Sequence, residues 1–147
     1  MMTLHRNRQG APMSTTYADI TITNLFIKST TRVRALVDTG CMLSTVTDEV
    51  AQALGFDPAQ FTMKRIVLAD GRSVRVPTIG PIQIDYEDRS CKTEAYVMGD
   101  ECLLGCVPLE CMDLTIDPVQ ERLIGRHPGG PVHRVCSAFE NNFWYIL

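Results

Sequence analysis

From Ala18 the chain alternates, Ala18-Asp19-Ile20-Thr21-Ile22-Thr23-Asn24, with the period of two that puts successive side chains on opposite faces of a half-buried strand. Polar Ser29-Thr30-Thr31 predicts a turn. The chain returns as Val33-Arg34-Ala35-Leu36-Val37, which becomes apolar towards its end as a strand does on entering a core. Thr47-Asp48-Glu49 predicts a helix start, a capping hydroxyl followed by two acids that suit the helix dipole. Val50, Ala51 and Leu54 would form its buried face, and Gly55 its end. Arg65-Ile66-Val67-Leu68 and Ser73-Val74-Arg75-Val76 flank Ala69-Asp70-Gly71-Arg72, and Asp-Gly between such segments predicts a hairpin.

Residues 81–86 and 93–98 also alternate, around a turn at Glu87-Asp88-Arg89-Ser90, which predicts an antiparallel pair with one wet face. Val107-Pro108-Leu109-Glu110 predicts a short helix, and residues 114–118 and 122–125 a last hairpin. Pro128-Gly129-Gly130-Pro131 then breaks regular structure. The pattern is all-β with one or two short helices.

At 147 residues the chain suits one domain with one core. We expect a flexible arm over residues 1–13, a domain over 14–126 and a tail over 127–147. The tail ends in Phe143-Trp144-Tyr145-Ile146-Leu147, apolar enough to pack on its own domain or against a second chain. A net charge of −3, with no Lys/Arg block, argues against a nucleic-acid partner. No apolar run approaches the ~20 residues that span a bilayer, so no membrane partner is expected. The first eight residues lead into no apolar run, which predicts no signal peptide and a reducing cytoplasmic location. Free thiols are therefore expected for the six cysteines, at 41, 91, 102, 106, 111 and 136, with Cys91 a small core or edge residue. Cys102-x3-Cys106-x4-Cys111 lacks the paired spacing of structural zinc sites, and His127-x5-His133 is wider than the usual His pair, so no metal and no cofactor are expected.

The candidate chemistry lies in Ala35-Leu36-Val37-Asp38-Thr39-Gly40, where an apolar run stops at an acid, a hydroxyl and a glycine. A carboxylate beside a core must be hydrogen-bonded, paired or protonated. Taken alone, the six residues also suit an ordinary strand ending in an Asp-Thr-Gly turn. Leu36-Val37-Asp38-Thr39-Gly40, however, resembles the active-site motif of aspartic proteases, and the later order of features resembles a single-domain retropepsin-like protease over roughly residues 15–125. The resemblance implies a closed, retropepsin-like β-barrel, the acid-protease fold. It also implies Asp38 as catalytic acid, Thr39, Gly40 and Cys41 as support for its turn, and Leu103-Leu104-Gly105 as the framework holding that turn. Ala69, Asp70, Gly71 and Arg72 would form the tip of a flap over a bound peptide or protein substrate.

The chain holds one Asp-Thr-Gly and no Asp-Ser-Gly, yet the family's chemistry needs two facing carboxylates. The resemblance therefore implies a homodimer with both copies of Asp38 on the two-fold axis, acting as an aspartic endopeptidase. The alternative is a catalytically silent dimer that binds peptides in its groove. Cys41 stands where the family usually carries Ala, Ser or Thr. A thiol donates more weakly than a hydroxyl, which predicts a dyad losing its first proton at higher pH; equally, Cys41 could simply fill space.

Overall fold

The computed structural model describes residues 15–134. The expected arm at 1–13, Cys136 and the apolar tail at 143–147 lie outside the described residues. Among those described, nine strands and two short α-helices form the chain's regular structure, with one 3-10 turn at Pro58–Gln60.

Strand β1 (Tyr17–Asn24) pairs antiparallel with β2 (Thr30–Val37), with Tyr17 opposite Leu36 and Thr23 opposite Thr30. Its alternation is used as expected: Ala18, Ile20 and Ile22 are buried on one face. The turn falls earlier than Ser29-Thr30-Thr31. It occupies residues 25–27, and Thr30 already belongs to β2. Phe26 and Ile27 are exposed there, so their apolar side chains disguise the turn. Asn24 makes it, its side chain accepting from the Phe26 amide at 2.9 Å while donating to the Leu54 carbonyl at 2.9 Å.

After the Asp38 turn comes β3 (Ser44–Val46), three buried residues too short to show a period. Helix α1 (Asp48–Ala53) begins where expected, with the Thr47 hydroxyl accepting from the Val50 amide at 3.3 Å. Ala51 and Leu54 are fully buried, and Gly55 follows at φ +80°, a left-handed conformation that glycine adopts without strain.

Strands β4 (Thr62–Val67) and β5 (Ser73–Tyr86) form a long hairpin. The two segments expected at 73–76 and 81–86 are one fourteen-residue strand whose register shifts between Ile79 and Ile82. The shift lets the strand change partners. Its first half pairs with β4 and its second half with β1. Strand β6 (Arg89–Val97) follows a tighter turn than expected, confined to Glu87-Asp88, with Glu87 at φ +51°.

Strands β1, β2, β7 (Leu103–Leu104), β3, β6 and β5 follow one another in hydrogen-bonded order, and the β1–β5 pairing closes the ring. With β4 standing outside it, the ring is not a clean barrel. Ile22, Ile82, Ile84 and Leu104 are buried in its core, together with Leu54 behind α1 and Met112, Leu114 and Leu123 near the chain's end. Each such side chain contributes about 1.5–3 kcal/mol through its removal from water. The core thereby makes a rigid frame for the turn at the end of β2.

Helix α2 (Cys106–Cys111) and the hairpin of β8 (Leu114–Asp117) and β9 (Arg122–Gly125) complete the chain. Buried Arg89 fastens this segment to β6. Its Nη1 donates to the carbonyls of Met112 at 2.8 Å and Asp113 at 3.0 Å, and its Nη2 donates to that of His127 at 2.5 Å.

Candidate active site

Asp38 leaves the sheet from a strand held on both sides. The Leu36 amide donates to the Cys102 carbonyl at 2.9 Å, Val37 to Thr16 at 2.8 Å, and Asp38 to Leu104 at 3.0 Å. Leu36 and Val37 are buried, whereas Asp38 is half-buried and Thr39 and Gly40 are exposed. The Asp38 carboxylate accepts from the Gly40 amide at 3.0 Å, and its carbonyl accepts from the Cys41 amide at 3.3 Å. An aspartate followed two residues later by a small residue suits this turn, because the acid's own side chain completes it.

A second loop crosses beneath the first. The Gly105 amide donates to the Ser44 hydroxyl at 3.1 Å, Cys106 to the Cys41 carbonyl at 2.7 Å, and Val107 to the Met42 carbonyl at 2.9 Å. A Cβ on Gly105 would stand 2.4 Å from the Leu43 oxygen and 2.8 Å from that of Cys41. The backbones therefore meet where no other residue fits. The thiol of Cys41 donates to the Leu43 carbonyl at 2.8 Å. Burial pushes this thiol up, and the Asp38 charge pushes it further.

Asp38 opens into a cleft of about 490 Å³. Leu36, Asp38 and Leu103 line it from the β2–β7 side, and Leu68, Ala69, Asp70 and Arg72 from the tip of the β4–β5 hairpin. Residues of these two groups lie far apart in the chain. The hairpin tip is internally fastened: Asp70 accepts from the Arg72 amide at 2.9 Å and from its guanidinium at 2.6 Å. Those bonds hold the Asp70 carboxyl below the usual range. Gly71 supplies the turn at φ +86° and does not line the cleft.

The other residues named from the sequence take different places. Thr39 borders a separate depression of about 200 Å³, together with Cys106, Glu110 and Ile116. Leu104 and Gly105 lie buried beneath the turn rather than in the cleft. Sequence reasoning missed Thr45 and the wall formed by Met98, Gly99, Asp100 and Glu101. A glycine between a strand and two acids was the available signal. Glu101 is tied back to β1: its hydrogen bond pushes the Tyr17 phenol up, while the Arg34 guanidinium lies 4.5 Å from that ring's centre.

No group of three or more His, Cys, Asp or Glu among the described residues is arranged to hold a metal ion. No helix among them is long and apolar enough to cross a membrane. What the arrangement offers is a carboxyl group on the floor of a largely apolar cleft, set on a turn with little freedom to move.

A closed strand ring, two crossing loops under an Asp-Thr-Gly turn and a hairpin facing that turn define the retropepsin-like class of aspartic protease folds. The family model described as aspartyl protease matches residues 20–105, more than half of the 147-residue chain. The chain belongs to that family. It is similar to a crystal structure of a retropepsin-like aspartic protease from Rickettsia conorii, with 26% identity and a TM-score of 0.53. The match covers 78% of this chain and 82% of that one. No curated protein sequence matches at a comparable level.

Proposed function

We propose that the protein is an aspartic endopeptidase that works as a two-fold homodimer, hydrolysing peptide bonds with a water held between two copies of Asp38. The observation that carries this reading is the position of the Asp38 carboxyl group, rigidly presented at a cleft opposite the β4–β5 tip. One chain holds one such acid motif, so the second carboxyl group must come from a second copy. The exposed surface beside the turn supports this. Met42 is 64% and Val107 38% exposed, and the Val107 amide bonds to the Met42 carbonyl, so the two crossing loops carry two exposed apolar side chains.

Two carboxylates ~3 Å apart repel by roughly 5 kcal/mol at an effective dielectric of about 20, a general property of such pairs. The pair therefore holds one proton over a wide pH range. The ionised Asp38 takes a proton from the water, and the protonated one donates to the substrate carbonyl oxygen. The resulting tetrahedral diol collapses with protonation of the leaving nitrogen. The hairpin tip at residues 69–72 acts as the flap, closing over the peptide and excluding bulk water. Thr39 hydrogen-bonds across the axis to lock the two turns together.

The test is cleavage of a mixed peptide library by the wild type and Asp38→Asn, across a dilution series at mildly acidic to neutral pH. Activity lost in the variant, and falling faster than linearly on dilution, is the expected result. Cleavage that survives Asp38→Asn removes Asp38 from the chemistry. Peptide binding without cleavage by either protein replaces the enzyme with a silent peptide-binding dimer.

A further inference from the structure

The ring carries a pair of thiols that the protease chemistry does not use. Cys91 is 3% exposed and belongs to the core, whereas Cys111 is half-buried and packs against that same core from the end of α2. Their closeness follows from the frame. Side chains of Arg89 and Cys91 share one face of β6 because they are two residues apart. Arg89 donates to the carbonyls of Met112 and Asp113, which fastens the residues just after Cys111 over that face. Burial first, and then the Cys111 thiol beside it, push the Cys91 thiol up to about 12, while that thiol donates to the Lys92 carbonyl at 3.7 Å. Of the two residues, Cys111 is the more exposed.

We propose that Cys91 and Cys111 form a dithiol modification site, which a small disulfide such as oxidised glutathione converts to an intramolecular disulfide joining α2 to β6. The geometry sets the order of events. Cys111, the more exposed of the two, attacks one sulfur of the reagent as thiolate, and the first glutathione thiolate leaves. Cys91 then gives up its proton and attacks the Cys111 sulfur, releasing the second glutathione thiolate. Two protein thiols are oxidised by two electrons, one external disulfide is reduced to two thiols, and the protons end on the released glutathione. Burial of Cys91 makes the second step the slow one, so the mixed disulfide at Cys111 accumulates first.

The consequence reaches the Asp38 turn through α2. The first residues of that helix bond to Cys41 and Met42, so a cross-link at its last residue closes a covalent path from β6 to the support of the turn. The pair is separate from Cys41, whose thiol is committed to the Leu43 carbonyl.

The experiment incubates the full-length protein with oxidised glutathione and follows it by intact mass and by non-reduced peptide mapping over time. The wild type is expected to gain one glutathione at Cys111 and then lose it, ending about 2 Da lighter with Cys91 and Cys111 peptides joined. Cys91→Ala is expected to keep the Cys111 adduct, and Cys111→Ser to leave Cys91 unmodified. An adduct that persists at Cys111 in the wild type, a cross-link joining other cysteines, or direct modification of Cys91 in Cys111→Ser each overturns the proposal. Because Cys111→Ser alters a half-buried position, its folding is checked by thermal unfolding before the comparison. The readout is chemical and does not depend on peptide cleavage.

Discussion

The Asp38 amide donates to the Leu104 carbonyl at 3.0 Å, which fastens the acid at the end of β2 to the strand that runs into Gly105. Backbone thus holds the acid from below while its side chain is held by the Gly40 amide. The support is close-packed main chain, and it tolerates no added atom.

Gly105→Ala is the direct check on that packing. The new methyl group meets the Leu43 and Cys41 oxygens, backbone atoms that cannot swing aside. Overpacking of this kind costs about 1–3 kcal/mol, and here the upper end is expected. Gly129→Ala, with open space around it, is expected to stay within about 0.5 kcal/mol. Equal urea midpoints for the two variants would remove the crossing loops from the account of how Asp38 is held.

Most of the fold was legible because the strands that build the ring have one face in the core and one in water. β1 announced itself through Ile20 and Ile22, α1 through Thr47 and two acids, and the β4–β5 hairpin through Asp70-Gly71. Legibility failed where an element was short or a residue served a partner distant in sequence. β3 has three residues, all buried, so no alternation exists to read. The turn at 25–27 was masked by Phe26 and Ile27, and the cleft wall at 98–101 becomes a wall only once the ring brings it near Asp38. Leu104 and Gly105 could be named from a motif, but the backbone contact that explains the glycine required three dimensions.

Met42→Glu tests the association that the proposed enzyme needs. The side chain is exposed, so the change has little effect on the folding of one chain. Two added carboxylates across a two-fold axis oppose association. We expect the dimer dissociation constant, read by sedimentation, to rise at least about tenfold, equivalent to roughly 1.4 kcal/mol. Activity would fall in parallel and recover at higher protein concentration. An unchanged constant would place the dimer contact elsewhere.

Cys41 yields a pH-dependent prediction. Its thiol is raised above an ordinary cysteine, by burial first and then by Asp38, so it remains protonated at neutral pH. Alkylation mapped to Cys41 should be slow near pH 7 and accelerate only as pH climbs past about 9. Asp38→Asn removes the second cause and should shift that acceleration to lower pH. Since the thiol donates to Leu43 rather than to the carboxylate, Cys41→Ser is expected to leave the pH–rate profile in place, which favours the space-filling of the two alternatives that the sequence leaves open. A profile displaced by Cys41→Ser would restore a direct role for that side chain at the dyad.

Asp70→Ala separates the work of the hairpin tip from the stability of the fold. Both Asp70 and Arg72 are largely exposed, so their ion pair gives the folded state little. Releasing the Arg72 guanidinium frees a side chain that lines the cleft. If the tip covers substrate, kcat/KM should fall roughly tenfold while the urea midpoint stays fixed. A loss of stability without a change in kcat/KM would make the tip a structural hairpin.

The clamp at the end of the chain gives the last prediction. Asp113 sits at φ +54°, an uncommon conformation for a residue with a side chain, and is held there from several sides. Its carbonyl accepts from Arg89 and from the Arg126 amide, and its carboxylate takes bonds from His127 at 2.6 Å and the Val132 amide at 3.1 Å. The His127 bond is the main reason that the Asp113 carboxyl lies below the usual range, against the opposing effect of burial. A lowered folded-state value means stabilisation present above the unfolded value of about 3.9 and lost as pH falls through the folded one. His127→Ala should therefore be less stable than the wild type near pH 6, and the two stability curves should converge below about pH 4. Arg89→Ala strips the bonds from three buried or part-buried carbonyls and should cost about 3–5 kcal/mol, most of which persists at low pH because carbonyl acceptors do not titrate; only the part owed to the Asp113 carboxylate, 3.8 Å from Nη1, fades there. Urea unfolding of both variants between pH 3 and 7 reads this difference. Parallel curves for His127→Ala and the wild type would show that the histidine holds the segment by packing and not through the Asp113 charge.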